Sequence, residues 1–125
     1  GSILMNIQEL STIVQHRLPV KIFIINNEYM GMVRQWQELL HGGRYSESYM
    51  DSLPDFVKLA EAFGILGLRV DKRSDMLDTI RKASEHEGPV VIDFVIPPEV
   101  SVYPMIPAGT STEQLMEEPE RRVAR

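Results

Sequence analysis

Apolar positions along the chain alternate between two spacings. Ile3, Ile7, Leu10 and Val14 recur at three- and four-residue steps, with Gln8, Glu9, Ser11 and Gln15 between them. That period predicts an amphipathic helix ending near Leu18-Pro19, because the residue before a proline avoids the helical region. "VKIFII" is nearly all apolar and rich in β-branched residues, which predicts a strand covered on both faces. Met32, Val33, Trp36, Leu39 and Leu40 then fall on one helical face, closed by His41-Gly42-Gly43. "GGRYSESYMDSLPD" has the chemistry of a loop, with a proline placed to open the next helix.

Phe56, Val57, Ala60 and Phe63 mark that helix, and Gly64 supplies its stop. "ILGLRV" reads as a second strand. Ser74 has the character of an N-cap, with Asp75 in the first turn and Met76, Leu77, Ile80 and Ala83 facing inward. Gly88-Pro89 breaks the chain before a third strand, "VVIDFVI". From Pro97 onward, Pro97, Pro98, Pro104, Pro107 and Pro119 oppose regular ladders, leaving an extended tail with a short helix around Thr112 to Met116. No internal repeat or low-complexity segment appears.

The order helix, strand, helix, helix, strand, helix, strand implies right-handed crossovers and a parallel sheet. The expected fold is α/β, a three-layer parallel sheet with helices on both faces and at least three strands. It divides into an α/β domain over 1–96 and an extended tail over 97–125. Three strands are few for a doubly wound fold, and no strand precedes the first helix. The pattern is that of the back half of an α/β domain.

Composition narrows the picture. At 125 residues, 43% hydrophobic and 25% charged, the chain is globular in character and long enough to bury a core. A net charge of −5 and a pI near 5.2, without a basic stripe, argue against a nucleic-acid partner. The absence of cysteine excludes disulfides, thiolate metal sites and cysteine nucleophiles. No apolar run reaches the roughly 20 residues of a membrane span, and nothing reads as a signal peptide, so an intracellular setting is the default. The chain opens Gly-Ser with no initiator methionine, and those two residues read equally as native or as appended in cloning. Either way it is expected to begin partway through a natural protein.

The candidate chemistry lies where "VKIFII" ends in Asn26-Asn27. In an open parallel sheet, ligands sit outside the carboxyl ends of the strands. An asparagine pair can simply terminate a strand, its amides tying off loop backbone. Three neighbours point further. A side-chain carbonyl is a neutral oxygen ligand of the kind Mg²⁺ accepts beside phosphate oxygens. Gly31 stands just ahead of a helix, where backbone N–H groups can approach an anion. Gly1-Ser2 precedes the first helix and forms another such place.

Gly1, a 24-residue gap and Asn26-Asn27 resemble the end of the thiamine diphosphate motif, which runs Gly-Asp-Gly, a spacer of similar length, then Asn-Asn. With "LMNIQEL", "LPVKIFIINNEYMGMVRQWQELLHGGRYS", "PDFVKLAEAFG" and "GPVVIDFVI", essentially the whole chain resembles the C-terminal part of the catalytic subunit of the acetohydroxyacid (acetolactate) synthase family. "GMVRQWQ" followed by "RYS" is the most specific part of the match. The resemblance implies the C-terminal part of a thiamine-diphosphate-binding fold. It implies that Asn27 binds Mg²⁺ through its side-chain oxygen and Tyr29 through its backbone carbonyl. Gly1 and Ser2 would touch the diphosphate, with Met30 and Gly31 adding contacts there. Met32 would lie near the bend of the cofactor, Met5 in the same neighbourhood, and Trp36 along the 2-ketoacid channel. The segment around Val102 to Gly109 resembles one that closes over the site.

The implied reaction condenses two 2-ketoacids, pyruvate with pyruvate or 2-ketobutyrate, with loss of CO₂, in branched-chain amino-acid biosynthesis. Implied partners are the rest of the catalytic subunit, a second catalytic subunit in a homodimer, and a regulatory subunit. The implied compartment is the bacterial cytoplasm, or the plastid for a plant-like protein. The sequence also departs from the pattern. The aspartate of Gly-Asp-Gly would fall just before Gly1, and neither the pyrimidine-activating glutamate nor the family's FAD-binding domain lies in this chain. No residue is assigned as catalytic. The chain alone is expected neither to turn over pyruvate nor to bind thiamine diphosphate tightly.

Other residues weigh less. Trp36 and Met32 are expected to form a sticky patch if uncovered. His16, His41 and His86 sit at helix ends and read as dipole partners or surface residues. Asp51, Asp55, Glu61 and Asp93 show no readable carboxylate pairing in sequence. Two rival readings stand beside the synthase: a non-catalytic α/β folding or association module, and a fragment of another thiamine diphosphate enzyme such as a pyruvate oxidase or decarboxylase.

Overall fold

The computed structural model describes residues 1–118. The end of the tail, "EEPERRVAR" (117–125), is expected from sequence to be solvated and frayed, and its residues 119–125 lie outside the described residues. Three parallel strands, β1 (Lys21–Asn26), β2 (Leu66–Val70) and β3 (Val90–Val95), form one sheet in the order β1-β3-β2. Phe23 lies opposite Ile92, and Arg69 and Ile24 flank Asp93. The helices are α1 (Glu9–Gln15), α2 (Gly31–Leu40), α3 (Phe56–Ala62) and α4 (Met76–Glu85).

Two apolar clusters sandwich the sheet. On one face Met76, Ile80 and Ala83 of α4 pack over Val70, Val90, Ile92 and Phe94. On the other, Leu10 and Ile13 of α1 and Leu59 and Ala60 of α3 cover Ile22, Ile24, Ile65 and Val91. This is the expected three-layer arrangement. Gly67 lets α3 approach β2, since a Cβ there would lie 2.7 Å from the Val57 carbonyl oxygen.

The helix ends show why local sequence predicts stops. After α3, Gly64 takes φ 73° while its N–H bonds Glu61 and the Ile65 N–H reaches back to Ala60. The same Schellman pattern closes α1, with Arg17 at φ 52° and the Leu18 N–H on Ile13. The expected continuous first helix is instead a 3-10 turn, Ser2–Met5, and then α1. The Asn6 amide ties back to the Ser2 carbonyl, and the chain stops at Arg17 before Pro19 acts. Consequently the N-terminal segment offers one short turn where an α-helix N-terminus was expected.

Three more expectations change. Asp55, not Pro54, caps α3, its Oδ1 accepting from the Val57 and Lys58 N–H groups at 3.0 and 3.2 Å. Ser74 lies inside a 3-10 turn, Arg73–Asp75, and donates to Asp75 rather than capping α4, while Leu77 points outward, 59% exposed. β1 is covered on one face only: Ile22 and Ile24 are packed, but Phe23 and Ile25 are 47% and 63% exposed. It lies at the sheet edge, where Phe23 forms an edge-to-face pair with Phe94, 5.5 Å between centroids.

Among the described residues after Pro97 there is no strand, but Met105 and Met116 form an isolated antiparallel bridge. The short helix expected around Thr112 to Met116 is a 3-10 turn, Thr112–Gln114, closed by a Ser111–Gln114 capping box.

Candidate functional site

β1 delivers Asn26 and Asn27 to the carboxyl edge of the sheet, and each amide organises the next turn. Asn26 Oδ1 accepts from the Glu28 N–H at 3.1 Å and Asn27 Oδ1 from the Tyr29 N–H at 3.2 Å. These consecutive side-chain-closed turns hold Glu28 in the left-handed region, φ 60°. The chain then crosses to the 44–50 loop: the Met30 N–H bonds the Ser48 carbonyl and the Met50 N–H bonds Glu28, around a Tyr29–Tyr49 bridge. In that bridge the Tyr29 carbonyl points away from its partner strand.

Tyr29 is braced from behind. Arg34, buried on α2, lies over the Tyr29 and Tyr45 rings at 5.2 and 4.6 Å and bonds Glu38 at 2.9 Å. Burial pushes the Tyr45 hydroxyl above its ordinary pKa, with the Arg34 charge opposing the shift. Gly31 opens α2 directly against the asparagine, a Cβ there meeting the Asn27 amide nitrogen at 3.2 Å. No side chain caps α2, so its first N–H groups remain available.

This edge fits part of a metal–diphosphate group. Asn27 Oδ1 keeps one lone pair beyond its bond to Tyr29, and the Tyr29 carbonyl is the second oxygen of the same turn. Both are neutral, and no group of three His, Asp or Glu among the described residues could hold a metal. The charge that a divalent cation needs would come from its other ligands.

The remaining expected site residues are dispersed. Gly1 and Ser2 border a hollow of about 460 Å³ along Ile22 to Ile25, whereas Asn27 borders another of about 370 Å³ with Asp71 and Pro97. Met5, Met32 and Trp36 are 73%, 58% and 49% exposed, and Met30 is exposed beside them in sequence. The apolar face of α2 therefore looks outward, and the helix buries Arg34 and Gln35 instead.

Gln35 was not singled out by sequence. Its Nε2 donates to the Val102 carbonyl at 3.0 Å and its Oε1 accepts from the Val102 N–H at 2.9 Å. This two-way bond fastens the tail to α2. In sequence it is one of four polar residues of α2, with Arg34, Gln37 and Glu38, and nothing local sets it apart. Arg69 was missed too: it bridges Asp55 and Asp93 at 2.9 and 3.1 Å, pairing two carboxylates that looked unrelated. The N–H of Lys58 and, against the effect of burial, the Arg69 guanidinium hold the Asp55 carboxyl below its ordinary pKa.

Comparison with known proteins gives the kinship of the chain. The chain is 47% identical over 117 residues to the acetolactate synthase large subunit of Pyropia yezoensis, covering 93% of this chain and 20% of that protein. It is 44% identical over 125 residues to the isozyme 3 large subunit of Escherichia coli K12, covering 97% and 22%. Thus it spans about a fifth of the length of these relatives. A thiamine diphosphate-dependent 4-hydroxybenzoylformate decarboxylase from Rhodococcus jostii RHA1 superposes with a TM-score of 0.70 at 29% identity, over 78% of this chain and 18% of that one. Residues 1–94 match the family described as thiamine pyrophosphate enzyme, C-terminal TPP binding domain, and the chain belongs to that family.

Proposed function

We propose that this chain supplies the diphosphate and Mg²⁺ corner of a thiamine diphosphate site in an acetolactate-synthase-type enzyme. The observation that carries the reading is the Asn27–Gly31 turn. It sets an amide oxygen, a free carbonyl and an uncapped helix N-terminus together at the carboxyl edge of a parallel sheet. The cofactor, when bound, supplies the carbanion chemistry by which a 2-ketoacid loses CO₂ and joins a second 2-ketoacid.

The residues of the chain bind and orient. Asn27 Oδ1 and the Tyr29 carbonyl hold the metal, Gly31 and the first turn of α2 bring backbone N–H groups to the diphosphate, and Met30, whose own N–H is held by the Ser48 carbonyl, adds side-chain contact there. Gly1 and Ser2 add contacts to that group. Met32 and Trp36, exposed on α2, form apolar wall against the cofactor and the incoming ketoacid, with Met5 beside them. The tail from Pro97, held to α2 through Gln35, closes the same side and excludes water. In this reading residues 1–96 are the cofactor-binding unit and the tail is its cover. The metal carboxylate, the activating glutamate and any FAD site are contributed by the rest of the catalytic subunit and a second copy. A regulatory subunit and a cytoplasmic or plastid setting follow from the same kinship.

Titration of Mg²⁺ and thiamine diphosphate, followed by Trp36 fluorescence, tests the proposal. A saturable, Mg²⁺-dependent change that Asn27→Ala abolishes is the expected result, with no acetolactate formed from pyruvate by this chain alone. No change at millimolar ligand, or a change indifferent to Mg²⁺ and to Asn27→Ala, would overturn it in favour of a non-catalytic module.

A further inference from the structure

In the Tyr29–Tyr49 bridge the backbone bonds are made by the flanking residues. The Met30 N–H donates to the Ser48 carbonyl at 2.8 Å, and the Met50 N–H to the Glu28 carbonyl at 2.9 Å. The two tyrosines are therefore a non-hydrogen-bonded pair, the kind whose side chains approach closely, and their ring centroids lie 5.2 Å apart. No ladder bond holds the Tyr29 carbonyl itself. Its direction is set through the peptide plane it shares with the Met30 N–H. That plane is rigid and trans, so pinning the N–H on Ser48 aims the carbonyl the opposite way.

The aim of this oxygen thus depends on where the 44–50 loop sits, and two side chains of α2 hold the loop. Gln37 Nε2 donates to the Ser46 carbonyl at 2.7 Å. Arg34 reaches both sides of the bridge, its guanidinium 4.6 Å from the Tyr45 ring on the loop and 5.2 Å from the Tyr29 ring on the turn. Arg34 is only 8% exposed, one carboxylate (Glu38) faces it at 2.9 Å, and its Nε is buried with no hydrogen-bond partner among the described residues. Hydrogen bonding leaves part of this buried charge uncompensated, and the two ring faces supply the remaining attraction. A flat, delocalised guanidinium suits that role better than a compact ammonium.

We infer that Arg34 is a positioning residue for the metal: it fixes the 44–50 loop against α2 and, through Ser48 and the Met30 N–H, aims the Tyr29 carbonyl. The inference rests on the reading of Asn27 and Tyr29 as metal ligands and deepens it. Arg34 acts through one peptide plane, so it governs the metal and leaves the N–H groups that open α2 to the diphosphate.

The test uses the 125-residue chain with Arg34→Met, which keeps the stem and removes the charge, and Arg34→Lys, which restores a cation. Without ligand, Arg34→Met should speed amide exchange at Met30 by at least about tenfold and move the Tyr29 carbonyl-carbon resonance, with exchange in β3 unchanged. With thiamine diphosphate in fixed excess, the Mg²⁺ concentration that gives half the Trp36 fluorescence change should rise at least about tenfold in Arg34→Met and return to within about threefold in Arg34→Lys. At saturating Mg²⁺, the half-saturating thiamine diphosphate concentration should change by less than about twofold. A merely structural role would weaken both ligands together. Should Arg34→Met fail to fold, Tyr45→Leu alters a half-exposed ring and should raise the Mg²⁺ requirement by about threefold. An unchanged Mg²⁺ requirement beside a wild-type response that Asn27→Ala abolishes, equal losses for both ligands, or unchanged exchange at Met30 would overturn this inference alone. No Mg²⁺ response in the wild-type chain would overturn the reading of the site and this inference with it.

Discussion

The two sides of the sheet's central strand are built to different standards. Around β2, β3, α3 and α4, packing is closed: Ala60, Ala83, Val90 and Ile92 have no exposed surface. Around β1 and α2 the same kinds of residue stand in the open, with Phe23, Ile25, Met32, Trp36 and Leu40 all more than two-fifths exposed. Polar groups are distributed the other way, since α2 buries an arginine and a glutamine beneath its apolar face. The helix turns its tryptophan outward and its charge inward, so the described residues leave its apolar face uncovered. One side of the molecule is closed, and the other leaves its apolar side chains exposed.

The sharpest way to break this contrast is to truncate one isoleucine on each side. Ile92→Ala, in the closed cluster, should cost about 2–5 kcal/mol, whereas Ile25→Ala should change stability by no more than about 0.5 kcal/mol. Urea midpoints of the two variants decide it, and equal losses would mean that the open side is itself core. Next in size, Gly67→Ala forces a Cβ into the Val57 carbonyl and should destabilise by about 1–3 kcal/mol, read as a lowered melting temperature.

On the open side, Gln35→Ala leaves the Val102 N–H and carbonyl unpaired and should cost about 1–2 kcal/mol. Its more telling readout is faster amide exchange at Val102 with exchange in β3 unchanged, which would separate tail attachment from the core. An acid titration follows. The Asp55 carboxyl is held below its ordinary 3.8 in the folded chain, so its contribution is full above that value and is lost as pH falls through the lower folded one. Asp55→Asn should therefore flatten the acid limb of stability measured by circular dichroism. Smallest in stability, Trp36→Ser should shift unfolding by no more than about 0.5 kcal/mol yet reduce self-association in sedimentation, because it removes exposed apolar surface.

Much of the closed half was legible in sequence because its signals are local. Gly64 stops α3 through a backbone conformation that glycine adopts freely, and Gly88-Pro89 followed by the apolar run of "VVIDFVI" marks the start of a strand. Where a competing local signal existed, the reading slipped by one or two residues: Asp55 displaced Pro54 as the helix opener, and Arg17 ended α1 before Pro19 could. The first helix failed for a related reason, since Asn6 found the Ser2 carbonyl and closed a 3-10 turn inside an otherwise helical period.

The chain by itself therefore determined its layers, its parallel crossovers and the asparagine pair at the carboxyl edge, because hydrophobic period, glycine and side-chain turn chemistry act within a few residues. Only the tertiary structure decided which face of α2 is buried, that Gln35 clasps Val102, and that Arg69 joins Asp55 to Asp93 while leaving one buried oxygen open. Those are pairings across 14 to 67 positions of sequence, and their donors and acceptors are matched by the fold rather than by any spacing along the chain.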